Sequence, residues 1–434
     1  MRFLTTLALA ALIGTPAMAE TLDEALSEAV NSNPALGAER ARLAAAREVV
    51  PQALSDGLPQ VSLSAGASRF EGHGSEAAPQ SDSWTGSATA SQLLFSSGHF
   101  LANLNAARAE SRGAVASYNS QVEDFLISVV SAYADVRQAE AVVAARTTSV
   151  SNLTQLYNYA QAQFDAGVVT RTDVAQAQAR LASARTQLVQ AQGQMSAAVE
   201  NYQRLVGHPP SDLQAPEEMT GLPASLDAAL ETAGTSSPVL QAARANAQQA
   251  HWQIWSAASN ALPTVSLQAS SSVGNDFDHD PGPDTPRGSS DSIGVRMSWQ
   301  IFSGGLNLSR TRQQRDLSRA ANLDLADAQR AVQQSVTVAW TGLASARSAL
   351  QSARDGVDAA QLAYQGVQLE RETGLRSTID VLNQEQDLLD AQLAEAQAEH
   401  DLVVAERQML AAQGTFEPPA PAPGGNSGGL RGRE

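Results

Sequence analysis

The sequence predicts an internally duplicated, mainly α fold with a β-barrel portion, in which each chain gives four membrane-spanning strands and long coiled-coil helices. Three observations predict it. Similar segments recur 204 to 207 positions apart along 434 residues. The hydrophobic period changes from 3.6 to 2 after Leu58-Pro59 and again after Leu262-Pro263. No proline interrupts residues 80–208 or 287–417, so both stretches are free to run as long helices.

The chain opens with MRFLTTLALAALIGTPAMA, which carries one Arg, an apolar run from Phe3 to Ile13 and the small-x-small ending Ala17-Met18-Ala19. That is the layout of a secretory signal peptide, and the run falls short of the roughly 20 residues a spanning helix needs. Residues 1–19 are therefore assigned to a leader, and Glu20 would begin the mature chain.

Each repeat then starts with a short helix. TLDEALSEAVNSNPAL (21–36) matches SLDAALETAGTSSPVL (225–240), with a capping box at Thr21 and Glu24 and a cap-Pro pair at Asn33-Pro34 and Ser237-Pro238. A second helix runs to Leu58-Pro59 or Leu262-Pro263. Beyond it Val61, Leu63, Ala65 and Ala67 alternate with Ser62, Ser64, Gly66 and Ser68. In the other copy Val265, Leu267, Ala269 and Val273 alternate with Ser266, Gln268, Ser270 and Ser272, and the return strand carries Ile293, Val295, Met297, Trp299 and Ile301 on one face. Strand hairpins are predicted over about 60–95 and 264–302. Their roughly ten-residue strands have the length of tilted bilayer-crossing strands. Phe70 and Trp84 lie toward one end of the strands and Phe95, Trp299 and Phe302 toward the other, as interfacial girdles do. A soluble sandwich with one wet face would give the same alternation.

Long helical hairpins are predicted over about 98–205 and 305–413. Val122, Phe125, Leu126, Val129, Tyr133 and Val136 follow the 3-4 spacing of a packed seam, and Val332, Val336, Trp340 and Leu343 stand at the corresponding positions of the second copy. A helix from 98 to 166 would be roughly 100 Å long at 1.5 Å per residue, a length that only an elongated coiled-coil assembly can use. FDAGVVTRTDV (164–174) and RETGLRSTIDV (371–381) mark the turns, with Gly167 and Gly374 where a left-handed helix end is wanted. The first repeat thus spans 20–206, a Pro-rich linker 207–224, the second repeat 225–416, and a compositionally disordered tail 417–434.

Four strands cannot close a barrel, and open edges cannot be left in lipid. Copies of the chain must share one barrel. Two copies give eight strands, a size filled by its own side chains, whereas three give twelve, which leaves a lumen; a cyclic trimer with polar strand faces lining water is inferred.

Composition excludes several classes. Cys is absent and all 28 basic residues are Arg, which removes disulfides, an acylated N-terminal Cys, a P-loop Lys and a Schiff-base Lys. The formal net charge of -17 is wrong for binding nucleic acid. Six His show no metal or triad spacing. Asp276, Asp278 and Asp280 have calcium-loop spacing, but Pro281 and Arg287 stand where that loop needs Gly and Glu. No catalytic residue, metal or cofactor is expected.

LDEAL and LDAAL, LPQVSL and LPTVSL, LFSSG and IFSGG, and above all FDAGVVTRTDV and RETGLRSTIDV resemble the outer membrane factor family, the TolC-like channels, over essentially the whole mature chain to about Phe416. This resemblance implies a homotrimeric exit duct in the Gram-negative outer membrane, docked to a periplasmic adaptor and an inner-membrane pump of the ABC or RND type. A periplasmic coiled-coil adaptor is the alternative, but it would carry one helical hairpin rather than two. The resemblance places a periplasmic gate at Asp173, Arg371, Arg376, Asp380 and Asn383, with Asn383 standing where a second acid is expected. Charge and position suggest an Asp173–Arg371 ion pair, since Arg371 occupies the place of a Tyr that bonds the first-repeat Asp in that family. Adaptor docking falls on Ala166, Gly167, Val168, Thr373, Gly374 and Leu375.

Overall fold

A computed structural model of the chain describes residues 19–70, 81–217, 219, 221–277 and 288–418. The leader up to residue 18, both strand-connecting loops with Asp278 and Asp280, and the tail from 419 lie outside the described residues.

In chain order the elements are α1 (Leu22–Ser32), α2 (Pro34–Arg47), α3 (Val49–Ser55), β1 (Gln60–Phe70), β2 (Ser81–Phe95), α4 (His99–Asp165), α5 (Arg171–Val206), α6 (Leu226–Ser236), α7 (Pro238–Ser259), β3 (Thr264–Phe277), β4 (Gly288–Ser298), α8 (Leu306–Glu372) and α9 (Thr378–Gln413). They fall into two compact units, and α4 and α8 each contribute to both.

The unit formed by residues 39–119 and 238–331 carries the strands. These form one antiparallel sheet in the order β1-β2-β3-β4. Its register puts the predicted apolar positions that lie within the strands on one face: Val61 pairs with Ala90, Leu63 with Ala88, Leu267 with Val295 and Ala269 with Ile293, while Trp299 and Ile301 fall beyond β4. The other face is a field of hydroxyls, with Ser64 bonded to Ser87 at 2.7 Å, Ser68 to Ser83 at 2.9 Å and Ser270 to Ser292 at 2.8 Å. β4 ends at Ser298, four residues before the predicted limit, because its last partner is Thr264 and the preceding Pro263 has no N–H to extend the ladder.

The LFSSG and IFSGG motifs are strand-to-helix junctions. Ser97 and Gly98 have φ of 51° and 87°, and Gly304 and Gly305 have φ of 62° and 86°. The left-handed backbone there turns β2 into α4 and β4 toward α8. Ser97 donates its hydroxyl to the Pro263 carbonyl at 2.6 Å, which ties the first junction to the second copy. One further difference from the sequence expectation is a break between α2 and α3, where a single helix was expected. Pro51 lies in the first turn of α3, where a missing N–H is tolerated, whereas α7, with Trp255 at that position, runs unbroken.

The other unit, residues 19–38, 120–237 and 332–418 of those described, carries the helical hairpins. α1 begins with the predicted capping box, in which Glu24 accepts from the Thr21 N–H at 2.9 Å. Leu126, Val129, Val130, Tyr133 and Val136 on α4 are fully buried against Leu22, Leu26 and Val30 of α1 and Tyr202 and Val206 of α5. Ser32 and Asn33 donate to the Val206 and Leu205 carbonyls at 2.8 and 2.9 Å, so the end of α1 satisfies the end of α5. A second cluster joins the two helical hairpins through Leu153, Leu156, Leu181, Tyr364, Val381, Leu382 and Leu388. No helix among the described residues is long and apolar enough to cross a membrane.

Candidate functional site

The two hairpin turns are built alike. At the first, the Val168 N–H reaches back to the Gln163 carbonyl at 2.9 Å around Gly167, whose φ is 76°. At the second, the Leu375 N–H reaches the Glu370 carbonyl at 2.9 Å around Gly374, φ 79°. This six-to-one bond around a left-handed Gly is the Schellman closure, and it leaves Val168 and Leu375 as apolar tips, 69% and 77% exposed. Ala166 and Thr373 are exposed beside them.

Each return helix then starts with a capping box that the sequence reading missed, although Thr-x-x-Asp and Ser-x-x-Asp were there to find. Asp173 accepts from the Thr170 N–H and hydroxyl at 2.9 and 2.7 Å. Asp380 accepts from the Ser377 N–H and hydroxyl at 3.0 and 2.7 Å. These hydroxyl bonds, seconded by the backbone N–H, hold both carboxyls below their usual range, so both acids are ionised at neutral pH. The Val that follows each acid anchors the turn inward: Val174 packs with Ala160 and Ala177, and Val381 is fully buried.

Within one chain, the suggested Asp173–Arg371 ion pair is not formed. Asp173 caps α5 through one carboxylate oxygen, and Arg371 lays its guanidinium over the Tyr159 ring of α4, 4.4 Å from the centroid. Nε of Arg371 is buried without a hydrogen-bond partner. A planar cation on an aromatic face keeps its charge stabilised where a carboxylate does not reach it. Arg376 pairs with Glu370 across the second turn at 2.8 Å. Asn383, one turn past Asp380, is exposed. Among the described residues no group of three or more His, Cys, Asp or Glu is placed to hold a metal ion.

Duplicated strand hairpins with one apolar and one hydroxyl face, each followed by a capped helical hairpin, define a channel-forming protein of the outer membrane. The chain belongs to the outer membrane efflux protein family, whose family model matches residues 25–208 and 229–415. It is 33% identical over 403 residues to the outer membrane efflux protein BepC of Brucella suis biovar 1, covering 93% of this chain and 87% of that one. It is 26% identical over 425 residues to the outer membrane protein TolC of Vibrio cholerae, covering 96% of each. Its fold is that of the CmeC outer membrane channel of Campylobacter jejuni (TM-score 0.79, 16% identity, 91% and 86% covered). It is equally that of the MtrE outer membrane channel of Neisseria gonorrhoeae (TM-score 0.77, 21% identity, 92% and 90% covered). The chain is an exit duct of the efflux and secretion type, located in the Gram-negative outer membrane and extending into the periplasm.

Proposed function

We propose that three copies of the chain share one twelve-stranded barrel, and that the assembled trimer is a passive conduit without catalytic chemistry of its own. The observation that carries this reading is the open sheet. β1 and β4 are its outer strands. Val61, Leu63, Ile293, Val295 and Met297 on these strands are 65 to 81% exposed. Edges of that kind are not tolerated in lipid, and pairing β1 of one copy with β4 of the next removes both.

The hydroxyl face would then line the lumen and the apolar face would meet lipid. The helical tips at Ala166, Gly167, Val168, Thr373, Gly374 and Leu375 dock a periplasmic adaptor, which links the duct to an ABC or RND pump in the inner membrane. Arg371, Arg376, Asp380 and Asn383, with Asp173 in the first repeat, gate the periplasmic entrance. Support for the docking role comes from the exposed apolar Val168 and Leu375, held out on rigid turns.

Because the chain has no cysteine of its own, engineered pairs report cleanly. Ser64→Cys combined with cysteine scanned along β4 should give covalently linked, heat-modifiable trimers from outer-membrane fractions. Monomers at every β4 position would refute the shared barrel.

A further inference from the structure

Glu20 is 7% exposed, and every polar atom it has is engaged. Its carboxylate accepts from the Tyr202 hydroxyl and from the Ser211 N–H at 3.2 Å, and lies 3.5 Å from Nε2 of His208. Its carbonyl accepts from the Tyr133 hydroxyl at 2.9 Å and the Gln214 N–H at 3.0 Å. Its nitrogen faces two acceptors at once, the Ser211 and Asp212 carbonyls, both at 3.2 Å. A peptide nitrogen carries one hydrogen and must share it between them. An ammonium carries three. The second carbonyl is held in place by a left-handed backbone, φ 44° at Asp212, that non-glycine residues seldom adopt.

We propose that this pocket is a capture site for the chain's own α-ammonium, completed when a leader peptidase cuts after Ala19. In that hydrolysis the Ala19 carbonyl carbon to Glu20 nitrogen bond breaks. The oxygen of water goes to the Ala19 acyl carbon, which departs as a carboxylate, and both protons of water end on the Glu20 nitrogen. The resulting cation faces the two carbonyls, with the Glu20 carboxylate beside it and Glu28 reached through His208, whose Nε2 lies 3.4 Å from Oε2 of Glu28. Processing therefore turns a shared hydrogen bond into a set of charge-assisted ones. The terminus so anchored is the one from which Thr21 caps α1.

The composition makes this testable without labels. With no lysine in the chain, the processed protein has a single primary amine, the α-amine itself. Protein purified from outer membranes is treated with an acetylating N-hydroxysuccinimide ester, natively and after denaturation, and its intact mass is measured. The expected result is a mass for residues 20–434, one acetyl group added after denaturation, and native reaction roughly 100-fold or more slower, as for a group reached only through local opening. Tyr202→Phe, which removes the hydroxyl donor to the Glu20 carboxylate, should speed the native reaction by about tenfold or more. A different N-terminus, no acetylation after denaturation, equal native and denatured rates, or a Tyr202→Phe protein as protected as its parent would each overturn the proposal. The comparison of native and denatured wild type needs no variant to fold.

Discussion

The Arg371 guanidinium rests 4.4 Å from the centre of the Tyr159 ring, joining the last turn of α8 to the last two turns of α4. Such a contact contributes about 0.5–1 kcal/mol when exposed and about 2 when desolvated, and both partners here are half-buried. If the tips form the entrance, it acts as a latch between the two hairpins. Tyr159→Ala and Arg371→Ala should each raise single-channel conductance in a planar bilayer. Tyr159→Phe should not, because it keeps the ring face. A double alanine variant that opens by the sum of the two single effects would show that the residues act separately.

Asp380 has two jobs that one substitution separates. Its carboxylate accepts from Ser377 and also carries charge near the tip. Asp380→Asn keeps an oxygen for the cap and removes the charge. Cation preference, read from reversal potential under a salt gradient, should fall while the melting temperature stays within about 1 °C. Unchanged selectivity would place the narrowest charged point elsewhere.

His400 on α9 bridges Asp135 of α4 at 3.1 Å and Asp401 at 3.0 Å. The hydrogen bond to Asp135, followed by that to Asp401, raises its pKa against the opposing effect of burial. A raised folded value means that the stabilisation is fully present below the unfolded value of about 6.5 and is lost as pH rises through the folded value. Thermal midpoints measured from pH 5.5 to 8.5 should therefore decline more steeply for wild type than for His400→Gln. Parallel curves would remove His400 as a contributor.

Glu385 is 3% exposed beside Leu382 and Leu388, and burial pushes its carboxyl above the usual range, against the pull of Ser149 and then Arg180. The sign is the same as for a raised His: stability is greatest below the unfolded value of about 4.3 and is lost as pH rises through the folded one. Glu385→Gln should thus raise the melting temperature by about 2–4 °C at pH 7.5, with a smaller gain at pH 5. A lower midpoint at pH 7.5 would mean that the charged form is the better partner.

What the sequence revealed and what it hid divide along a physical line. The duplication, the strand faces and the two Gly turns are local patterns, set by period and backbone chirality, and they can be read in FDAGVVTRTDV and RETGLRSTIDV directly. The partner of Arg371 is not local. Tyr159 lies in the other repeat, and opposite charge pointed to Asp173 because nothing in the sequence says that an aromatic face lies within reach of Arg371. Glu20 was legible only as a cleavage position, since its enclosure depends on Tyr133, Tyr202 and the loop at Ser211, which folding brings together. The strand limit at Ser298 likewise depended on where its partner begins.

The paired helices have equal lengths: α4 and α8 each have 67 residues, and α5 and α9 each have 36. The strands have drifted, at 11 and 15 residues in one copy against 14 and 11 in the other. A strand can gain or lose residues near its loop, but a helix is a ruler. Losing one residue from α4 alone would move its far turn by about 1.5 Å and rotate it by about 100°, carrying Tyr159 away from Arg371. Each copy therefore serves as the length standard for the other. Any lengthening of these rods in evolution has to arrive in both copies together, in steps of about seven residues that return every side chain to its own face.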